Sequence, residues 1–115
     1  MTALSDRVEA ANADEQRAML KEAYHALFPH NSPQYDHQHR ARFVGFLDAG
    51  AYESAAMMLV PEGWFTSDFH QGPSGGNWWD LSRIRDGDQR YTSAAGMAST
   101  PALALTAAAI RAGAK

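Results

Sequence analysis

Two adjacent tryptophans, Trp78 and Trp79, stand ahead of Arg83 and Arg85 in "NWWDLSRIR", and Arg90 follows shortly after. An indole face stacks on planar rings such as nucleobases, and a guanidinium grips phosphate through paired N–H donors. The grouping could therefore bind a nucleotide-like ligand. In an extended strand, however, neighbouring residues point to opposite faces, so the two rings cannot serve one surface. If Trp79 and Leu81 turn toward a core, then Trp78, Asp80, Ser82 and Ile84 line the other face. The reverse assignment sends Trp79, Leu81, Arg83 and Arg85 outward. A two-residue turn at Asp86-Gly87 would set Arg83 opposite Arg90 and concentrate positive charge. The ring left outside meets a ligand, a subunit or another helix, and packing is the ordinary use of an aromatic strand.

Other residue types capable of chemistry carry weaker patterns. His37 and His39 in "DHQH" share a side if that segment is extended, with His30 and Asp36 nearby. His-x-His with a carboxylate is a plausible start to a zinc or nickel shell. No further ligand has a recognisable spacing, so no metal is assigned and His37 and His39 remain weak candidates. Nucleophilic catalysis needs a hydroxyl, a base and an orienting acid in contact, and no G-x-S-x-G elbow occurs. "GPSGG" lacks the lysine and following helix of a phosphate loop. No paired carboxylates stand out from ordinary surface acids. The expectation is a protein without catalytic residues or cofactor.

Composition narrows the class. The chain has 115 residues, 45% of them hydrophobic, which suits one globular domain. Formal net charge is −3, so nothing draws it generally to nucleic acid or an anionic membrane. There is no cysteine, hence no disulfide framework, thiolate site or Cys nucleophile. No apolar run approaches the roughly 20 residues of a membrane span, and "MTALSDRVEAANADEQ" lacks the apolar centre of a secretory signal. These features lead us to expect a soluble, cytoplasmic protein with no membrane partner.

The elements that must position these residues follow from periodicity and punctuation. Leu4, Val8 and Ala11 share a helical face. "NADE" then supplies Asn12 as a new N-cap with Glu15 completing a capping box. A second helix with Met19, Leu20, Ala23, Tyr24 and Leu27 on one stripe follows, stopped by Pro29. "HNSPQYDHQHR" is a polar linker, and "RFVGFL" is strand or helical turn by pattern alone. "DAGAYESAAMMLV" is helical, with Asp48 as cap and Met57, Met58 and Leu59 as core. From Trp64 to Ser93 the pattern changes to period two, with "HQGPSGGN" too long for a tight hairpin and Asp86-Gly87 favouring a type I′ turn. That predicts a three-stranded antiparallel meander. "STPALALTAAAIRAGAK" closes the chain as a helix with Thr100 at N-cap, Pro101 at the first position and Leu103, Ala107 and Ile110 as a narrow stripe. Alanine elsewhere would let it lie close against a sheet.

"LVPEGW", Leu59 to Trp64, followed by "TPALALTAAAIRA", Thr100 to Ala112, resembles the phage ABA sandwich domain family. "RVEAANADEQRAML" is similar to that family's opening helix and its successor, so the likeness runs through most of the chain. Three departures stand out: a longer His-rich linker with "ARFVGFLDAG", Glu53 and Ser54 in place of Leu-Asp, and Thr106 in place of Cys. The resemblance implies an α-β-α sandwich fold and a phage or prophage context, and it carries over no catalytic residue.

The expected fold is therefore α+β in one domain, residues 1–115. Residues 1–47 hold N-terminal helices and the linker, and 48–115 hold a helix, the meander and the C-terminal helix. The expected function is non-catalytic: an accessory protein acting by binding a host or phage protein, as a homo-oligomer. The alternative is a small-molecule binder that sequesters a nucleotide signal through Trp78, Trp79, Arg83, Arg85 and Arg90. A helix, three strands and a helix also outline the double-stranded-RNA-binding domain, but "ASTPALAL" lacks the basic run that module needs, so nucleic acid is not expected.

Overall fold

The computed structural model describes residues 3–29, 36–73, 75–84 and 91–115. Helix α1 spans Leu4–Ala10 and buries Val8. Asn12 then caps a 3-10 turn, Ala13–Glu15. Its side-chain oxygen accepts from Asp14 N, and Glu15 Oε1 accepts from Asn12 N, the reciprocal pair expected from "NADE". Helix α2 follows as Gln16–Leu27, burying Leu20, Ala23 and Tyr24. Asn12→Ala is expected to lower stability by about 1 kcal/mol in urea titration, because the backbone N–H of Asp14 loses its side-chain acceptor; an unchanged midpoint would show that the cap is replaced by water at no cost.

Of the segment expected to be a linker, the described part, residues 36–40, opens a helix. Asp36 accepts from Gln38 N as N-cap, and α3 runs His37–Asp48 with Phe43 and Leu47 buried. "RFVGFL" is therefore helical, since the cap and the 43/47 spacing turn both apolar side chains onto one face. Residues 30–35, including His30, lie outside the described residues. Asp48 closes this helix instead of capping the next, and its carboxylate pairs with Arg17 at 2.6 Å. Gly50, at φ +73°, takes the left-handed conformation that breaks the run. Helix α4 is consequently short, Tyr52–Met57, and buries Ala55 and Ala56. Leu59 is core as expected and Met58 packs partly buried against it, but Met57 is 46% exposed, because it lies on the helical face of the exposed Glu53 and Ser54, away from the face that buries Ala55 and Ala56.

"PEGW" is a turn. Trp64 N donates to Pro61 O, with Gly63 at φ +86° in the third position, where a type II turn requires positive φ. Trp64 is buried and the meander begins: β1 Phe65–Gln71, β2 Asn77–Ile84, β3 Tyr91–Ala98, antiparallel in the order β1-β2-β3. In the β2–β3 pair, Trp79 lies opposite Gly96, Leu81 opposite Ala94 and Arg83 opposite Thr92. Arg83 therefore does not face Arg90: the register sets it opposite Thr92, two residues away from the pairing that a turn at Asp86-Gly87 would give. Asp86, Gly87 and the rest of the β2–β3 connection lie outside the described residues.

Helix α5, Pro101–Gly113, starts as expected, with Thr100 Oγ1 accepting from Leu103 N and Pro101 in the first turn. It is not amphipathic. Nine of its residues are buried, from Ala102 to Ala112, because it lies between the sheet on one side and α1, α2 and α4 on the other. A helix apolar all round is what such a position demands. Thr106, fully buried, satisfies its hydroxyl by donating to Ala102 O at 2.7 Å, so the polar group brings no unpaired donor into the core. The layers thus run helices, α5, sheet, an α+β fold with the C-terminal helix packed on the meander.

Candidate functional site

Register decides which strand residues meet. Between Phe65↔Ser82 and Thr66↔Leu81 on one side and Asp68↔Asp80 on the other, β1 carries one extra residue, Ser67. This bulge turns the rest of β1 over. Strict alternation would have placed Asp68 opposite Trp79, toward the helices. The extra residue instead sets Phe69 on the face of Trp79, directly opposite it and still 37% exposed, and brings Asp68 and His70 to the outer face, opposite Asp80 and Trp78. Side chains hold the bulge: Ser82 Oγ donates to Ser67 Oγ at 2.8 Å, and Ser67 Oγ donates to Asp80 O at 3.1 Å.

The two tryptophans separate as a strand requires. Trp79 faces α5 and packs on Phe69, ring centroids 4.6 Å apart. Its Nε1 is buried and finds no acceptor among the described residues. Trp78 faces outward and is 38% exposed. Arg83 shares the inner face with Trp79, where its guanidinium lies over the ring of Trp64, 5.1 Å from the centroid. The structure therefore brings Trp79 and Arg83 to one face and Trp78 to the other, and Arg83 is engaged by Trp64. Arg85 and Arg90 lie outside the described residues.

The two histidines of "DHQH" are likewise split. His37 and His39 sit in the first turn of α3, and residues two apart on a helix point about 200° away from each other. His39 Nδ1 is 2.8 Å from Tyr24 Oη and its ring stacks on Tyr24, so it belongs to the α2–α3 packing. The extended geometry that would have made them joint ligands does not occur.

On the outer face the rungs run His70–Trp78–Met97, then Asp68–Asp80–Ala95, then Phe65–Ser82–Ser93. No helix covers them among the described residues. Phe65, Trp78, Met97 and Ile84 are between 38% and 61% exposed, which makes this the principal apolar surface of the sheet. A shallow cavity of about 310 Å³ is lined by His70, Gly72, Gly76, Trp78 and Met97. Beside it, Asp68, His70 and Asp80 form the group of three His or acidic residues whose ligand atoms all lie within 4.8 Å of one another among the described residues. Asp68 Oδ2 and His70 Nε2 are 2.7 Å apart, and Asp68 Oδ1 accepts from Phe69 N at 2.9 Å. Asp68 and Asp80 offer no motif in sequence. Their meeting depends on a register that only the bulge creates.

The two sheet edges are treated differently. Along β3, Met97 N donates to Glu9 Oε2 at 2.8 Å, and Ala95 O accepts from Arg111 Nη1 at 2.9 Å. Arg111 also holds Glu9 at 2.7 Å and Asp6 at 3.0 Å, so α1 and α5 close that edge with charged side chains. Hydrogen bonds from Arg111, then one from Met97 N, hold the Glu9 carboxyl below the ordinary carboxylate range, against the opposing effect of partial burial. Strand β1, exposed along its whole length, forms the other edge.

A larger surface groove of about 520 Å³ lies between α3 and α4, lined by Arg42, Phe46, Glu53, Ser54, Met57 and Met58. It brings no nucleophile and base together. No helix of the described residues is long and apolar enough to cross a membrane. No family model, no curated protein and no solved structure matches this chain.

Proposed function

We propose that this protein is a non-catalytic binding module of phage or prophage type, and that it works by presenting the outer face of its meander to another protein, first of all a second copy of itself. The observation that carries the reading is the exposure of Phe65, Trp78, Ile84 and Met97 on one uncovered face. A three-stranded sheet covered on one side leaves apolar rungs whose burial is favourable on association. The phage or prophage part rests on the sequence likeness of "LVPEGW" and "TPALALTAAAIRA". The nucleotide-binding alternative needs an exposed ring and a free guanidinium in one concavity. It draws no support from Trp78 and Arg83 on opposite faces.

Light scattering tests the reading. The wild-type chain is expected to run as more than one chain per particle at tens of micromolar. Ile84→Glu combined with Met97→Glu should return it to one chain with an unchanged far-UV spectrum, since both side chains are exposed and a charge on an apolar interface is strongly disfavoured. A wild-type particle of one chain, or a double variant that still associates, overturns self-association through this face.

A further inference from the structure

We infer that Asp68, His70 and Asp80 form a binding site for a borderline divalent cation of the zinc type. Two carboxylates stand directly opposite each other on adjacent strands, a pairing that is unfavourable when nothing bridges it. None of the described outward positions of the three strands is Lys or Arg to neutralise them; on the sheet, Arg111 and Lys115 meet the backbone carbonyls of Ala95 and Ser93 at the β3 edge, and Arg111 otherwise pairs with Glu9 and Asp6. The third member is an imidazole two residues along the same strand, on the same face. One nitrogen and two carboxylate oxygens are a donor set that zinc accepts, and the imidazole excludes a site built only for hard cations such as magnesium.

The spacing fits. Donors about 2.1 Å from a common ion stand about 3.0 to 3.4 Å apart, depending on geometry. The three ligand atoms here lie within 4.8 Å of one another, and the closest pair is at 2.7 Å. Small side-chain rotations bring them to one centre. In the ion-free chain His70 Nε2 donates to Asp68 Oδ2; on binding, that bond gives way, the ring carries its proton on Nδ1 and turns the Nε2 lone pair to the ion, and Asp68 keeps Oδ1 on Phe69 N while Oδ2 turns to the ion. The backbone needs no change, because the Ser67 bulge already sets Asp68 opposite Asp80 and is fixed by the Ser82–Ser67–Asp80 hydrogen bonds. Bulges recur where a strand must re-aim a side chain.

The site is open on one side. His70 also walls the cavity of about 310 Å³ shared with Trp78 and Met97, where Gly72 and Gly76 present backbone alone. Three protein ligands leave at least one position of the ion for water or for an acidic group of a partner that reaches the cavity. The cation site does not depend on whether the face docks a protein.

The test uses the untagged full chain, titrated with zinc chloride by calorimetry and followed by thermal shift. One zinc ion per chain with micromolar affinity is expected, and magnesium chloride should give no binding in the same range. His70→Ala and Asp80→Asn should each weaken zinc by about tenfold or more, since each removes a direct ligand. His37→Ala and His39→Ala should leave the affinity unchanged. His70 and Asp68 are more than half exposed, so the ion-free melting temperature of His70→Ala should stay at the wild-type value; if that variant fails to fold, Asp80→Asn decides alone. Absence of zinc binding up to about 1 mM, full affinity in Asp80→Asn, or loss of binding in His37→Ala overturns the assignment, because each places the ligands elsewhere or nowhere.

Discussion

Replacing Gly96 with alanine is expected to cost about 3 kcal/mol, the high end for a single added methyl group, and Gly96→Val should prevent folding. A Cβ at this position would meet Ala104 O at 2.2 Å and Ala108 N at 2.7 Å. Both are backbone atoms of α5, so no side chain can swing away; the helix itself must lift off the sheet. That would open the contact between α5 and β3, the most extensive between elements of the described residues, and expose the fully buried Leu81, Leu103 and Leu105 beside it. Each such side chain is worth about 1.5 to 3 kcal/mol when buried. Gly45 is the control. It sits exposed inside α3, where an added Cβ would have nothing within 4 Å, so Gly45→Ala should stabilise by about 0.5 to 1 kcal/mol through helix propensity. Urea denaturation of the two variants against wild type reads both signs. A Gly96→Ala protein as stable as wild type would mean that α5 is not seated on this strand.

Arg111→Ala is expected to cost about 2 kcal/mol at neutral pH, and most of that cost should vanish in acid. The guanidinium joins Glu9, Asp6 and the Ala95 carbonyl, tying α1 and α5 to the free edge of β3. Its loss leaves a partly buried carboxylate and an edge carbonyl without that partner. The Glu9 carboxyl is held below its ordinary range in the folded state, so the unfolded chain binds the proton more readily. The pair's contribution is therefore present above the unfolded glutamate value of about 4.3 and is lost as pH falls through the lower folded value. Wild type should lose stability across that acid window, and Arg111→Ala should lose less, so the two curves converge. Parallel curves from pH 7 to pH 3 would show that Glu9 and Arg111 are not coupled.

Much of this fold is legible in local signals. The capping box at Asn12, the glycine turn in "PEGW", the Thr100-Pro101 helix start and the meander are each set by residues within a few positions of one another. Alanine in the last helix also signals a close approach to a sheet, and Gly96 is where that approach occurs. The departures from expectation have one cause. The polar surroundings of His37 and His39 suggest a linker, yet the Asp36 cap and the Phe43 and Leu47 contacts, made across the fold, decide that the segment is helix. Asp48 suits a cap by type, but α3 continues through it. Met57 has the composition of a core residue but lies on the helical face of Glu53 and Ser54, which tertiary packing leaves outside.

The pair of tryptophans shows the same division. Alternation along a strand is a property of the covalent chain, and it is enough to say that Trp78 and Trp79 face opposite ways. Which of them turns inward depends on α5, whose backbone presses on Gly96 directly across from Trp79 and so draws that face of β2 into the core. The Asp68–His70–Asp80 group lies further still from sequence. It exists because one extra residue, Ser67, shifts the pairing of β1 against β2, and pairing between strands is a long-range choice fixed by the hydrogen bonds and packing of the whole sheet. Local chemistry determined the elements and their ends; only the tertiary structure determined which side chains those elements bring together.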